Sequence, residues 1–346
     1  MRQQRIRVAP TPGLPIGLAG FRHFRDHIAP ITCELGSTLY VVEGTDPTPA
    51  VHPKYTDVKV ETTHKTKGVN PAHYVLDDTI SPIIVAGRND VLKSRYGRVP
   101  RPIIGIEHGS GIQWEGNTQW GNTSLAISLL LVPGERLAQR YRKKVCGSVV
   151  RAVGCAKMDP WHDGTFGKDY DPECVCISTH FDLRCYREGR TAWPEYSQAL
   201  IDLAKNHKVI GHCHPRVWKQ RKPIYEDHGI EPVQEFSEVL NRAGLYICDT
   251  SSTIYEFASL NRPVVVMNAS WYRRDVNFGL RFWDDIPGIQ ADKPEALAQC
   301  VDIALSDPEY LQEIRRKAIE NVYVACDGKS AERAANAIQE WQNGTG

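Results

Sequence analysis

Four consecutive hydroxyl or carboxylate residues, Asp249-Thr250-Ser251-Ser252, stand between an apolar run, Gly244–Cys248, and a helical pattern that continues to Leu260. A helix start offers unpaired N–H groups and partial positive charge, and hydroxyls ahead of it complete a cradle for a phosphate. Thr253 with Glu256 three residues on fits a capping box. A plain N-cap is the alternative, but a cap uses one hydroxyl and three precede the box. Glu256, one turn in, is within reach of ribose hydroxyls on such a reading. A second turn, His212-Cys213-His214-Pro215-Arg216, follows the apolar strand pattern Lys208–Gly211. His214 and Arg216 are a pair of donors suited to a pyrophosphate; a surface His-Pro turn is the alternative. A third, Glu107-His108-Gly109-Ser110-Gly111, places a histidine at a strand end with glycines that let another molecule approach the backbone. Histidine near neutral pH is the commonest general base, although a satisfied structural histidine fits the same pattern.

The elements that must carry these turns alternate. Thr38–Glu43, Ile83–Ala86, Pro102–Glu107, Leu129–Val132, Ser148–Val153, Cys174–Ser178, Lys208–His212, Gly244–Cys248 and Pro263–Met267 read as strands. Helical patterns fall at Glu135–Lys144, Pro194–Lys205, Pro232–Asn241, Ser252–Leu260, Pro294–Leu305, Pro308–Asn321 and Ala331–Gln342. Alternation of this kind predicts βαβ units and parallel sheets. The expected fold is α/β, with two facing Rossmann-like domains. Residues 1–155 would form the first and 173–330 the second. The irregular, Asp/Gly/Pro-rich 156–172 would connect them, and 331–346 would be a closing helix that can pack back on the first domain. In open sheets of this class ligands bind beyond the carboxyl ends of the strands, so function belongs in the turns.

The 346 residues are 41% apolar and 24% charged, with 42 basic against 41 acidic side chains and a formal net charge of +1. That balance excludes disorder and argues against a protein that coats DNA by neutralising many phosphates. The longest apolar run, near Leu125–Val132, is broken by Ser128 and stops at Pro133, far short of the ~20 residues a bilayer requires. With no apolar segment behind the basic N-terminus, a cytoplasmic protein without an integral membrane segment is expected. Ten cysteines with no C-x-x-C pair, many within apolar runs, read as core thiols. A metal at the His212-Cys213-His214 cluster is the disfavoured alternative.

Taken in order, these motifs resemble the CDP-glycerol glycerophosphotransferase family, the teichoic-acid-type transferases of GT-B-like architecture. His108-Gly109-Ser110 resembles the family's His-Gly-Thr turn, and Val153–Asp159 its Gly-x-Pro-Arg-x-Asp connection. His214-Pro215 resembles its His-Pro pair, and Asp249–Ala258 with Asn261-Arg262-Pro263 its Asp-Tyr-Ser-Ser…Asp-Phe-Ala…Pro block. Asp327-Gly-Lys-Ser-Ala-Glu-Arg333 resembles the C-terminal Asp-Gly-Lys-Ala-Ser-Glu-Arg. The resemblance spans roughly 100–335; residues 1–100 show none.

The resemblance implies transfer of a glycosyl or glycerophosphoryl group from a nucleotide-activated donor to an acceptor hydroxyl, with no metal or other cofactor required. The acceptor would be a glycan, a polymer, a protein or a modified nucleic acid. His108 would deprotonate the acceptor; His214, with Ser251 and Ser252, would stabilise the donor's phosphates beside Asp249 and Thr250; and Glu256 would replace a family aspartate near the nucleotide. Charge and position add Arg216 to the donor side. Gly109, Ser110, Gln113, Trp114, Lys329 and Arg333 are expected at the acceptor or cleft. Trp120, Trp271, Tyr272, Arg273 and Arg274 are further cleft candidates, with Trp114 and Trp120 flanking a polar stretch as a stacking platform. Gln113 stands where the family carries lysine, Thr250 where it carries tyrosine. A nucleotide-sugar epimerase or hydrolase, and a non-catalytic nucleotide- or glycan-binding protein of the same fold, are the competing readings.

Overall fold

The computed structural model describes residues 13–20, 22–42, 55, 59–63, 81–87, 102–110, 114–115, 127–144, 148–183, 187–274, 279–280 and 285–344. The chain forms two compact units: Met1–His108, Asn117–Asp163 and Tyr323–Gly346 make the first, Gly109–Gly116 and Gly164–Val322 the second.

The first unit contains β1 (Ile16–Ala19), β2 (Thr38–Val42), β3 (Lys59–Thr63), β4 (Ile83–Val85) and β5 (Ile103–Ile106). A two-residue strand, β6 (Trp114–Glu115), comes next in the chain and belongs to the second unit. β7 (Ile127–Val132) and β8 (Val149–Ala152) complete the first sheet, whose order is β3-β2-β1-β4-β5-β7-β8 with every pair parallel. Strand alternation explains the unbroken apolar runs. Ile84, Ile104, Leu129 and Leu131 enter one apolar cluster, while Ile83, Val85, Ile103, Leu130 and Val132 enter another on the opposite face. Helix α1 (Arg22–Glu34) follows β1 and buries Phe24, Ile28 and Ile31 on one stripe, continued by Leu35. The β1–α1 pair has no counterpart in the sequence reading. Pro30 lies inside that helix and masks its period. Helix α2 (Glu135–Lys144) has the bounds expected from the sequence. The stretch read as an irregular connection holds a short helix, α3 (Asp159–His162), with Pro160 favouring its first turn.

The second unit repeats the plan. β9 (Asp171–Ile177), β10 (Lys208–Gly211), β11 (Glu231–Pro232), β12 (Ala243–Cys248), β13 (Val264–Met267) and β15 (Ile289–Ala291) pair in parallel in the order β11-β10-β9-β12-β13-β15. The short β14 (Gly279–Leu280) pairs antiparallel with β6. Helices α4 (Trp193–Asp202), α5 (Trp218–Asp227), α6 (Phe236–Arg242), α7 (Thr253–Ala258), α8 (Leu297–Leu305) and α9 (Glu309–Val322) link or follow these strands. Two expectations change here. The helix expected from Pro232 begins only at Phe236, because Glu231-Pro232 adds an edge strand to β10, where a residue without an N–H is tolerated. Helix α5 was not expected at all, since Pro223 sits inside it. In both sheets the order reverses beside the first strand, between β1 and β4 and between β9 and β12. That is the ligand-binding switch point of doubly wound folds.

The last helix, α10 (Ser330–Gln342), places Ala331, Ala334, Ala335, Ile338 and Trp341 in the first unit's core with α1. Its start is fixed by a distant residue: the buried Asp159 carboxylate accepts from the N–H of Ser330 (3.0 Å) and of Ala331 (2.7 Å). Arg333 donates to the Val153 carbonyl at 2.9 Å and to Asp327 at 2.9 Å. Gly154 lies at φ +95°, and a Cβ there would fall 2.3 Å from Ser330 Oγ. The two motifs that sequence comparison treats separately, around 153–159 and 327–333, are therefore one lock. Asp159→Ala is expected to cost about 2–3 kcal/mol in urea unfolding, because it removes a charged acceptor from buried donors. Lys329→Ala, at an exposed position, should stay within about 0.5 kcal/mol. An unchanged midpoint for Asp159→Ala would refute the lock.

No helix among the described residues is long and apolar enough to cross a membrane.

Candidate active site

At the switch point of the second sheet the turns after β9, β10 and β12 lie side by side. Asp249 directly follows β12, fully buried, and both its oxygens are engaged. Oδ1 accepts from the N–H of His180 (2.8 Å) and of Thr250 (2.8 Å). Oδ2 accepts from Ala192 N–H (2.9 Å) and from the Thr191 hydroxyl (3.1 Å). Asp249 thus ties three segments together beneath the turn and presents no free oxygen to a ligand. Thr250 is buried with it, whereas Ser251 and Ser252 are partly exposed. Ser251 Oγ accepts from the Thr253 hydroxyl at 2.8 Å, and Thr253 also bonds the Tyr246 hydroxyl at 2.8 Å. The expected capping box does not form. Ser252 is the N-cap residue and makes no side-chain cap bond, and Thr253 is spent on Ser251 and Tyr246. Glu256 is 1% exposed, and its neighbours Ile254, Tyr255, Phe257 and Ala258 are buried too, so it offers no surface carboxylate to a ribose.

The turn after β10 is positioned by Tyr225 of α5. Its ring occupies the space that a side chain at Gly211 would need, and its hydroxyl donates to the His212 carbonyl at 2.9 Å. His212 itself points into the protein, bonded through Nδ1 to Ser178 Oγ at 3.0 Å and lying against Phe236. Burial pushes the Cys213 thiol up to about 12. Among the described residues no three His, Cys, Asp or Glu side chains converge to hold a metal ion. His214 faces the other way. Its Nδ1 accepts from the Arg216 N–H at 3.2 Å, so in the neutral ring Nε2 carries the proton and is a donor. The ring abuts His180 (4.9 Å between centroids) and Phe181 (4.6 Å), and the Arg216 guanidinium lies 4.5 Å from the Phe181 ring.

His180 is absent from the sequence-derived candidates, although it stands just beyond the strand Cys174–Ser178. Its Nδ1 donates to the Phe181 carbonyl at 3.0 Å, leaving Nε2 with the lone pair. Burial lowers its pKa, against the opposing field of Asp249. The two rings therefore present complementary nitrogens.

In the first unit His108 follows β5, next to the switch-point strand β4. It bonds the backbone of Ala86, and its ring lies 4.8 Å from Phe24, 5.9 Å from His27 and 6.3 Å from His23. Burial pushes its pKa down to about 4, and the Lys157 ammonium adds to the shift. Strand alternation sends the preceding Glu107 to the opposite face, where it accepts from the Tyr141 hydroxyl at 2.5 Å. His23 and His27, one turn apart on α1, also escaped the sequence reading. Their spacing puts them on one helix face, but only the packing of α1 brings that face to His108. Gly109 is half-buried, and Ser110 is buried with no hydrogen-bond partner for its Oγ.

Several cleft candidates have other employment. Tyr272 is buried and donates to the Arg190 carbonyl at 2.6 Å. Arg273 forms a forked ion pair with the fully buried Glu188, at 2.5 and 3.0 Å. Arg274 pairs with Asp292 at 3.1 Å. Trp271 is half-buried beneath Arg190, whose guanidinium lies 5.4 Å from its ring. Arg333 belongs to the lock on α10, and Lys329 is its exposed N-cap residue. Trp114 lies on β6 opposite Leu280. Gln113 and Trp120 fall outside the described residues.

No curated protein matches the chain by sequence. Solved structures do match by fold. The wall teichoic acid polymerase TagF superposes with a TM-score of 0.61 at 12% identity, over 99% of this chain and 91% of that one. UDP-GlcNAc 2-epimerase from Neisseria meningitidis superposes with a TM-score of 0.55 at 14% identity, over 94% and 99%. UDP-GlcNAc 2-epimerase from Methanocaldococcus jannaschii gives 0.53 at 14%, over the same shares. With two parallel doubly wound sheets, these neighbours establish an α/β, GT-B-like fold. The resemblance drawn from the motifs has its counterpart at the level of the family: residues 194–340, from α4 through most of α10, match the CDP-Glycerol:Poly(glycerophosphate) glycerophosphotransferase family.

Proposed function

We propose that the protein is a transferase that moves a glycerophosphoryl or glycosyl group from a nucleotide-activated donor to an acceptor hydroxyl. The observation that carries this reading is the gathering at the second switch point, where His214 and Asp249, inside the family-matched stretch, meet His180, which precedes it. There His180 bonds Asp249 through its N–H and abuts His214 through its ring. His214 Nε2–H and the hydroxyls of Ser251 and Ser252 would hold the donor's phosphates, with Arg216 at the rim and Asp249 and Thr250 shaping the turn. Negative charge grows on the leaving phosphate during transfer, and fixed donors stabilise it without reorganising. On the first unit, His108 is a neutral base that would take the acceptor's proton. The Arg216 charge and these fixed N–H and O–H dipoles would stabilise the leaving phosphate, so turnover is proposed to survive chelation of divalent metals.

The test is to incubate the purified protein with CDP-glycerol and, separately, with nucleotide-sugars, and to separate the nucleotide products. Release of CMP marks glycerophosphoryl transfer, because the bond between the two phosphates breaks. Release of a nucleoside diphosphate marks glycosyl transfer. Product that forms equally with and without acceptor identifies a hydrolase or an epimerase, and epimerase is the activity named for the second group of structural neighbours. Absence of any product and of any nucleotide binding would end the reading.

A further inference from the structure

Arg221, on the first turns of α5, is 9% exposed, and its guanidinium is stacked on the Trp193 ring at 4.1 Å. Its Nε is buried with no hydrogen-bond partner, and among the described residues the guanidinium has no ion pair. The other buried arginines of the second unit differ. Arg262 donates to the carbonyls of Leu240 (2.6 Å) and Ala243 (3.1 Å). Arg315 forks onto Asp307 at 2.9 and 3.0 Å and bonds Asn261 at 3.1 Å. Those two staple loops to helices; Arg221 staples nothing. A buried charge left unpaired is costly, and a chain that keeps one has a use for it outside its own fold.

Its surroundings say what that use is. Trp193 directly follows Thr191 and Ala192, which bond Asp249, and Cys213 and Tyr225, whose fields act on Arg221, frame the turn that carries His214. Asp249 reaches Arg221 only as a field, since its oxygens serve other donors. In the same place Thr179, 1% exposed, has a hydroxyl without a partner, and its carbonyl accepts from His214 N–H at 3.0 Å. A cation held over an aromatic ring, with its planar fork unspent, suits the paired oxygens of a phosphate.

We infer that Arg221 is an anion-binding residue of the second unit, which takes phosphate oxygens of a nucleoside diphosphate at the switch point. The nucleotide part of this statement rests on the proposed function; the anion part does not.

The experiment compares wild type, Arg221→Met and Arg221→Lys for binding of inorganic pyrophosphate, CDP, UDP, CDP-glycerol and cytidine by calorimetry, with melting temperatures recorded free of ligand. Arg221→Met is expected to weaken pyrophosphate or nucleoside diphosphate at least tenfold, which is about 1.4 kcal/mol, and to leave any cytidine binding as it was. Arg221→Lys, with the charge but not the fork, should fall between. Ligand-free Arg221→Met should melt at the wild-type temperature or above, because an unpaired buried charge is gone. A drop of several degrees, or failure to fold, overturns the inference, as that marks a structural arginine. Undiminished diphosphate binding by Arg221→Met overturns it and spares the proposed function. Pyrophosphate binding that depends on Arg221, in a protein that binds none of the three nucleotides, sustains the anion part of the inference and defeats its nucleotide part together with the proposed function. Wild type that binds neither pyrophosphate nor nucleotide defeats both.

Discussion

His108→Ala is expected to lower turnover by about 10²–10⁴-fold while donor affinity stays at the wild-type value. The ring is neutral at pH 7, since burial and Lys157 push its pKa down to about 4. One nitrogen is committed to the Ala86 backbone, which fixes the ring plane. An imidazole with so low a pKa stays unprotonated across the neutral range. Turnover should hold its plateau below pH 6 and fall only as pH approaches 4, where the ring protonates. The measurement is a steady-state titration of acceptor for both proteins, with calorimetry for the donor. Equal turnover in His108→Ala would remove the histidine from the mechanism, and an acid limb at the ordinary imidazole value near 6.5 would show that the ring's surroundings do not lower its pKa.

Acid also acts on the fold, and in the same window. His27, His108, His162 and His180 all have pKa values lowered by burial, with His108 and His162 at about 4. Between these folded values and about 6.5, the unfolded chain binds more protons than the native one, so stability rises with pH there. It is fully present above about 6.5 and is lost as pH falls toward 4. Urea unfolding at pH 7.5 and pH 5 should therefore differ by several kcal/mol. The rate profile must be taken from initial velocities on protein shown by circular dichroism to be folded.

The second large effect belongs to Asp249. Asp249→Ala is expected to lose about 3–5 kcal/mol of stability, and with it donor binding. The carboxylate accepts five hydrogen bonds: three from the backbone N–H groups of His180, Ala192 and Thr250, one from the Thr191 hydroxyl and a longer one from the Cys248 thiol at 3.8 Å. Its removal leaves buried donors with nothing to bond, each a cost of about 1–3 kcal/mol that overlaps with the next. Asp249→Asn should be nearly as damaging. Each oxygen faces at least two donors, so the amide NH₂ must point at donors whichever way it flips. Urea midpoints and the melting shift with CDP-glycerol give both readouts. A variant that unfolds at the wild-type midpoint would show that the network does not hold the turn.

Much of the architecture was local information. Parallel strands buried on both faces read as short apolar runs, so Ile83–Val85, Ile103–Ile106 and Val264–Met267 were visible within a residue or two of their true ends. The turns that follow them were visible too, as were His108, His214 and the Asp249–Ser252 block that carry the family resemblance. Helices with an internal proline, around Pro30 and Pro223, were not, because proline argues against a helix wherever tertiary packing has not yet been counted.

Roles were the part that only the folded chain decided. Asp249 read as a phosphate ligand and is a clamp, because its partners Thr191 and Ala192 lie 58 and 57 residues away. Arg333 read as a cleft cation and is a bolt on Val153, 180 residues distant. Glu256 read as a partner for ribose hydroxyls and is buried. Arg221 read as nothing, yet it is the buried arginine of the second unit whose fork has no partner among the described residues. Spacing along a chain fixes which residues can share a strand end or a helix face. Whether a charge on that face meets a donor, a ring or open space depends on elements that arrive from elsewhere in the sequence, and that choice is made by packing.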